Sequence, residues 1–237
     1  DRAAFEQVDL HGALRRYLHF FRDQEALFDV EESLATIAVY RGAHALTTDF
    51  FSVFPCVFGA EQVCLQYRIP FDMLFTYQLD RLPRYSAVVL AEQTCFSDHE
   101  IEVFKAYARS GGGLIVTGRT GLYDERGRHR CDHPLKEVFG WPRVVFFPDA
   151  PERLSMPKRD HPPAYHDMHL PPRAGEIAEG IRTAAGGHVP CSLDAGLYVA
   201  LEVYLTRGGE RVVHLLNYEN EMPLDSVSLG LEEGLRA

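Results

Sequence analysis

Residues 86–117 read SAVVLAEQTCFSDHEIEVFKAYARSGGGLIVT, and this stretch decides the fold class. Its first part, Ser86–Ala91, is almost entirely apolar, as expected of a strand covered by helices on both faces. Ser97 stands three residues before Glu100, where apolar side chains at helical spacing begin, and this is the arrangement of a capping box. Gly111–Gly113 then predicts the end of the helix, and Leu114–Thr117 starts a second apolar strand. The stretch therefore predicts a strand–helix–strand unit.

The segments before this unit repeat the same alternation. Leu34–Tyr40 is rich in β-forming residues and predicts a buried strand, residues 57–67 predict a helix, and Phe71–Phe75 predicts a strand that begins after Pro70. Residues 5–28 carry apolar side chains at helical spacing. Strands and helices that alternate at this spacing predict an α/β fold with a doubly wound, mostly parallel sheet.

The C-terminal part of the chain has a different pattern. Seven of the 14 prolines fall between residues 148 and 173, so we predict a long irregular segment there. We predict a short helix over 133–140, a helix over 174–185, strands over 197–206 and 211–217 around a Gly208-Gly209 turn, and a half-exposed strand over 224–231. The predicted domain plan is a connecting helix (1–32), an α/β domain (33–196) and a β-rich extension (197–237).

Composition narrows the classes of function. The formal net charge of -10 gives no electrostatic basis for binding nucleic acid, and no apolar run approaches the roughly 18 residues of a membrane span. The five cysteines are scattered and form no C-x-x-C pair, which favours reduced thiols in a cytoplasmic protein. Because the first residue is Asp1 rather than Met, we expect a piece of a longer protein.

Several of these segments together resemble a known family. They follow one another in the order and spacing found in the trimerisation domain of family 42 β-galactosidases and related glycoside hydrolases. The match is good over about residues 10–140 and looser beyond. The segments that carry it are Arg68–Asp72, Tyr85–Leu90, Phe96–Asp98, Gly111–Gly118, Gly121–Glu125 and Arg211–Asn217.

The resemblance implies a fold and a role. The fold would be flavodoxin-like, similar to class I glutamine amidotransferases, and the role would be non-catalytic. The domain would self-associate, with a trimer as one order, beside an upstream TIM barrel that carries the two catalytic glutamates of a carbohydrate-processing enzyme. A barrel needs about 200 residues or more of its own, so the catalytic pair would lie outside this chain. No cofactor is implied.

Candidate site residues follow the fourth predicted strand. Arg119, Tyr123, Asp124 and Glu125 leave its carboxyl end, which is the edge where open α/β sheets gather ligand sites. A polar ligand and a neighbouring subunit are both compatible with these side chains, and a purely structural loop is the common alternative. Asp124 and Glu125 are adjacent and would diverge in a strand, so they do not predict a catalytic pair.

Two further groups of residues could give the chain catalytic or metal-binding chemistry of its own. Cys95 follows a strand as an amidotransferase nucleophile would, but its neighbours Thr94 and Phe96 are not the small residues of a nucleophile elbow. His161, His166 and His169 offer ligand types suited to zinc, although prolines surround them and no helix frames them. Solvated loop histidines and an inert, packed cysteine are the alternatives, and we predict neither a catalytic residue nor a metal site.

An aromatic cluster supplies a candidate contact surface. Phe50, Phe51, Phe54 and Phe58 extend from a segment that we predict to be a long loop into the start of the helix predicted over 57–67, and clustered aromatic side chains are typical of protein interfaces. The sequence thus predicts an oligomerisation domain of a larger glycoside hydrolase. A stand-alone amidotransferase-like enzyme or a small-ligand-binding domain is the alternative.

Overall fold

The computed structural model describes residues 10–149, 170–196, 198–218 and 226–231. Within these ranges the chain alternates between helices and strands up to β6 and then adds one helix and four strands. The elements are α1 (Leu10–Asp23), α2 (Glu25–Phe28), β1 (Val30–Ser33), β2 (Ile37–Arg41), α3 (Ala43–Thr48), α4 (Phe50–Gln66), β3 (Phe71–Phe75), a 3₁₀ helix (Thr76–Arg84), β4 (Ala87–Leu90), α5 (Asp98–Arg109), β5 (Gly113–Thr117), a 3₁₀ turn (Lys136–Val138), β6 (Val144–Phe147), α6 (Ala174–Ala185), β7 (Cys191–Asp194), β8 (Val199–Thr206), β9 (Arg211–Asn217) and β10 (Ser228–Leu231).

A five-stranded parallel sheet forms the centre of the molecule, with the strand order β3-β2-β4-β5-β6. Alternate residues of each strand enter one of two cores. Val39 and Val89 face α4 and α6 on one side, whereas Val88 and Leu114 face α5 and the 3₁₀ helix on the other. The two covered faces explain why the strands are apolar at nearly every position. The predicted α/β class with a mostly parallel sheet is confirmed.

The predicted capping box is also present. The Ser97 hydroxyl accepts from the Glu100 amide at 3.2 Å, and the Glu100 carboxylate accepts from the Ser97 amide at 2.7 Å. These reciprocal bonds satisfy amides that have no partner within the first turn of α5. The helix ends before Gly111, whose φ of 93° suits the residue that follows a helix.

The aromatic segment 50–58 is helical, so the predicted loop was wrong. Helix α4 begins at Phe50 rather than at residue 57, and Pro55 lies inside it. A proline in a helix interior removes one backbone donor, to the carbonyl four residues earlier. Burial of Val53, Cys56, Val57 and their neighbours in the sheet-facing core outweighs that single lost hydrogen bond.

The remaining strands form two small antiparallel sheets. The predicted hairpin is present as β8 and β9, but β1 adds to its outer side, with Val30 opposite Thr206. Strand β10 pairs with β7 rather than with the hairpin. Leu193 of β7 and Leu201 and Val203 of β8 share a third apolar cluster, so the two small sheets pack on a common core.

Helix α6 lies very close to β5 at Gly113. A Cβ added to this glycine would stand 2.0 Å from the carbonyl oxygen of Ala184 and 3.0 Å from the Ala87 side chain. Only glycine permits this distance between helix and sheet. None of the helices in the described ranges has the length and apolarity needed to cross a lipid bilayer.

Candidate functional site

The loop after β5 lies at the carboxyl edge of the parallel sheet, beside the loop that follows β4. The amide of Tyr123 donates to the carbonyl of Thr94 at 3.0 Å, and the amide of Phe96 donates to the carbonyl of Tyr123 at 3.0 Å. Gly121 donates to Gln93 in the same way. These backbone bonds join the two loops into a small extension of the sheet and hold Arg119 and Tyr123 at its edge.

An ion cluster occupies this edge. Arg119 donates through Nε to Glu92 Oε1 at 2.7 Å and through its backbone amide to Glu92 Oε2 at 3.1 Å, while its Nη2 lies 3.5 Å from Asp49 Oδ2. Burial alone lowers the pKa of the Arg119 guanidinium, but the hydrogen bond and charge of Glu92, with the charge of Asp49, raise it overall. The Arg119 guanidinium therefore stays charged, and its contacts link the residue that precedes α4 to the ends of β4 and β5.

Glu92 and Asp49 are the two members of this cluster that the sequence did not indicate, and Glu92 is the more deeply buried. It directly follows the apolar segment that ends at Ala91, is fully buried and has a φ of 49°, a conformation that costs a side-chain-bearing residue energy and often marks functional positions. A charged residue straight after a doubly covered strand was the available signal. In this chain its carboxylate is neutralised by Arg119.

The other two loop candidates do not converge with Arg119. Asp124 Oδ1 accepts from the amides of Arg126 and Arg128 at 2.9 and 2.8 Å, and these bonds, the one from Arg128 first, lower the pKa of the Asp124 carboxyl. Asp124 thus stabilises its own turn, and Glu125 is exposed to solvent.

Cys95 is placed like a residue of the core. It is 2% exposed, and burial is the main cause that raises its pKa, so its thiol is protonated near neutrality. The left-handed residue after the strand is Glu92, three positions earlier. An activated cysteine nucleophile at this edge has no support from the geometry.

Thiol reactivity tests this placement. We expect one cysteine, the exposed Cys131, to react rapidly with a disulfide reagent at pH 8, and the four buried cysteines to react only as the chain unfolds, because reaction requires an accessible thiolate. Counting fast and slow thiols by absorbance gives the result. The Cys131→Ser variant should have no fast thiol, whereas a fast thiol lost in Cys95→Ser would contradict the buried placement.

The Glu100 carboxylate is a second buried polar group, separate from the ion cluster. Glu100 Oε1 accepts from the Tyr40 hydroxyl at 2.5 Å, Oε2 accepts from the Ser97 hydroxyl at 2.7 Å, and His44 Nε2 lies 3.8 Å from Oε2. Burial first, and then the charge of Glu100, raise the pKa of Tyr40. The capping-box carboxylate thereby also ties β2 and α3 to α5, which sequence spacing alone could not predict.

The histidine candidates His161, His166 and His169 lie outside the described residues. Within the described ranges, no three His, Cys, Asp or Glu side chains converge as a metal ion would require.

Two apolar surfaces stand out on the exterior. On α4, the rings of Phe50, Phe54 and Phe58 stack in succession with centroid distances of 5.0 and 6.1 Å, and Phe51 beside them is 91% exposed. We call these four side chains the phenylalanine ladder. The second surface is a groove of about 810 Å³ between α1 and β9, lined chiefly by aromatic and aliphatic side chains that include Tyr17, Phe20, Phe21, Phe28, His214 and Leu216.

Comparison with known proteins adds a fold likeness. No protein-family model matches the chain, and no curated protein sequence matches it. Among solved structures, a catalytic mutant of a GH42 β-galactosidase from G. stearothermophilus has a TM-score of 0.53 at 13% identity, over 84% of this chain and 36% of its own. The apo exo-carrageenase GH42 from Bacteroides ovatus has a TM-score of 0.52 at 13% identity, over 84% and 24%.

A third match comes from another glycoside hydrolase. The α-L-fucosidase isoenzyme 2 from Paenibacillus thiaminolyticus has a TM-score of 0.55 at 12% identity, over 90% of this chain and 44% of its own. These glycoside hydrolases contain the same fold. This chain spans less than half the length of each, and at such low identity the likeness establishes the fold alone.

Proposed function

We propose that this chain is the non-catalytic assembly domain of a larger, β-galactosidase-like glycoside hydrolase. Its role is to hold subunits together, with a trimer as the expected order, while a TIM barrel elsewhere in the polypeptide supplies the catalytic carboxylates. The proposal is supported by the resemblance over residues 10–140 and by three glycoside hydrolases in which the same fold is less than half of the chain.

The sheet and its edge fit this role. Counted from β2, the strand order is 2-1-3-4-5, the flavodoxin-like order, and this supports the class I amidotransferase-like assignment. In that arrangement a reactive residue would be expected at the end of β4. Glu92 lies there instead, paired with Arg119. An edge closed by an internal ion pair supports a structural role more than a catalytic one.

The phenylalanine ladder is the observation that carries the proposal. Four aromatic rings project from one side of α4, and Phe51 is the most exposed of them at 91%. Full burial of an exposed ring contributes about 1.5–3 kcal/mol, a value that applies most nearly to Phe51. Phe50, Phe54 and Phe58 stack at i, i+4 spacing, and aromatic side chains are enriched at the centres of interfaces. We propose that the ladder contacts a second copy of the chain.

The loop over residues 119–125 belongs to the same proposed contact. Arg119 pairs with Asp49, which immediately precedes the ladder, so the ion cluster fixes the start of α4 against the loop. Glu125 is exposed beside it and is suited to the polar rim of an interface. The domain limits at residues 32 and 196 are likewise part of the proposal.

A single surface substitution tests the contact. We expect Phe51→Glu to convert the oligomer to monomer at micromolar concentration, because the new carboxylate would be desolvated in the interface. A central aromatic residue contributes about 2 kcal/mol or more, which corresponds to a roughly 30-fold or greater weakening of association. Sedimentation velocity over a concentration series measures the change, and circular dichroism should be unaltered because Phe51 is almost fully exposed.

A matched control distinguishes the two apolar surfaces. Leu18 on α1 is 61% exposed and next to the groove, so Leu18→Glu adds the same charge elsewhere and should leave the oligomer intact. If Leu18→Glu dissociates the oligomer and Phe51→Glu does not, the assignment to the ladder is wrong. Hydrolysis of chromogenic galactosides by a monomeric wild-type chain would instead contradict the non-catalytic role and favour a stand-alone enzyme.

A further inference from the structure

A cavity of about 420 Å³ lies near the amino ends of the parallel strands, whereas the ion cluster lies at their carboxyl ends. The end of α4, the end of α6 and the β7–β10 pair form its walls. Two guanidinium groups, Arg68 and Arg182, line it together with Tyr67 and Ser192. Its volume lies in the range of about 300–1,000 Å³ that is usual for small-molecule sites.

Arg68 is held in an uncommon conformation at this cavity. Its φ is 54°, and its Nη1 donates to the carbonyls of Gln66 and Gly196 at 3.1 and 3.0 Å. Its Nε is buried and has no hydrogen-bond partner. A buried donor without a partner is costly, and structures usually satisfy such a group with water or a ligand.

Arg182 reaches the same space from the last turn of α6. Its Nη2 donates to the carbonyl of Tyr67 at 3.3 Å, and its guanidinium carbon lies 6.0 Å from the centre of the Tyr67 ring. Among the described residues, neither Arg182 nor Arg68 has a carboxylate oxygen within 4.0 Å, whereas Arg41 and Arg173 each hold one at 2.6 Å.

The charges around the cavity favour an anion. Burial lowers the pKa of Arg68, the carboxylate of Asp194 raises it, and the like charge of Arg182 lowers it. Among the residues that the structure describes, these two guanidinium groups face one carboxylate, that of Asp194, so a net positive charge remains. Guanidinium groups bind oxyanions by paired, charge-assisted hydrogen bonds.

We propose that this cavity binds a tetrahedral oxyanion, sulfate or phosphate, either free or as the ester group of a small polar molecule. The guanidinium groups of Arg68 and Arg182 donate to different oxygens of the anion, and the Ser192 hydroxyl can supply another donor. The cavity is larger than the anion alone requires, which leaves room for the rest of an ester. This site is independent of the phenylalanine ladder and of the proposed assembly role.

Isothermal titration calorimetry of the whole chain tests the site. Sodium sulfate and sodium phosphate are titrated into the protein in separate experiments, with sodium chloride at the same ionic strength as the control titrant. We expect saturable, one-to-one binding of the oxyanions and no saturable binding of chloride. Arg182→Gln keeps a donor for the Tyr67 carbonyl but removes the charge, and should weaken binding about tenfold or more, since a hydrogen bond to a charged group contributes about 1.5–3 kcal/mol.

Titration of galactose 6-sulfate and glucose 6-phosphate distinguishes an esterified ligand from a free ion. Tighter binding of an ester assigns the cavity to an esterified ligand, and equal binding assigns it to the free ion.

A control variant separates this site from general charge effects. Arg207 is exposed at the β8–β9 turn, so Arg207→Gln changes the net charge equally and should bind as the wild type does. Arg182→Lys, which retains the charge, should recover part of the affinity. The proposal is overturned if no oxyanion gives a saturable signal, or if Arg182→Gln, shown to be folded by circular dichroism, binds with unchanged affinity.

Discussion

Replacing Arg119 by methionine is expected to lower the free energy of unfolding by about 2–3 kcal/mol. The substitution leaves the Glu92 carboxylate fully buried without its positive partner, and breaking a buried ion pair in this way costs about 3–5 kcal/mol. We expect a somewhat smaller loss because the Arg119 side chain is 41% exposed, so water can compensate in part. Urea unfolding followed by circular dichroism at pH 7 measures the difference.

The matched double variant isolates the uncompensated charge as the cause. Glu92→Gln combined with Arg119→Met removes both charges, keeps the size of each side chain and should recover most of the stability. The single variant Glu92→Gln should cost less than Arg119→Met, since the arginine it leaves behind still faces Asp49 and solvent. An Arg119→Met variant within about 0.5 kcal/mol of the wild type, as is usual for surface substitutions, would show that the cluster does not stabilise the fold.

Gly113→Ala is expected to destabilise the protein by about 3 kcal/mol, at the upper end of what overpacking costs. The new methyl group would stand 2.0 Å from the Ala184 carbonyl oxygen and 2.6 Å from its carbon. Both are backbone atoms, so no side-chain rotation can relieve the overlap. Helix α6 would have to move away from β5, and Ile181 and Ala184 would lose contact with the sheet-facing core.

A second glycine supplies the control for this prediction. A Cβ added at Gly196 would meet nothing within 4 Å, so Gly196→Ala removes the same backbone freedom without an overlap and should change stability little. Thermal and urea unfolding of the two variants should therefore separate clearly. Equal stabilities would mean that the close approach of α6 to β5 adjusts at little cost.

The sequence was most informative where a strand is covered on both faces. Ser86–Ala91 and Leu114–Thr117 had to be buried because they are apolar throughout, and the capping box at Ser97 fixed the start of the helix between them. These features depend only on residues that are close in the sequence. The fold class, the alternation of strands and helices, and the limits of α5 and α6 were predictable for that reason. The right-handed crossovers between parallel strands then place helices on both faces of the sheet.

The features that the sequence did not predict depend on distant partners. Strand β6 was missed because Val144–Phe147 is short and follows a tryptophan and a proline, and its pairing with β5 is what makes it a strand. Strand β1 contains Glu31 and Glu32 and becomes a strand by pairing with β8. Arg119 was identified as a candidate, but its partner Glu92 lies 27 residues earlier, and no spacing rule connects the two. The same holds for Tyr40 and Glu100.

The pairing of β1 with β8 has a consequence for synthesis on the ribosome. Val30 and Thr206 stand opposite one another, so β1 must wait for its partner while about 176 further residues are added, on the order of ten to thirty seconds at usual elongation rates. An unpaired strand edge exposed for that time invites pairing with other nascent chains. The two glutamates of β1 place charge on that waiting edge, which is a recognised protection against such encounters.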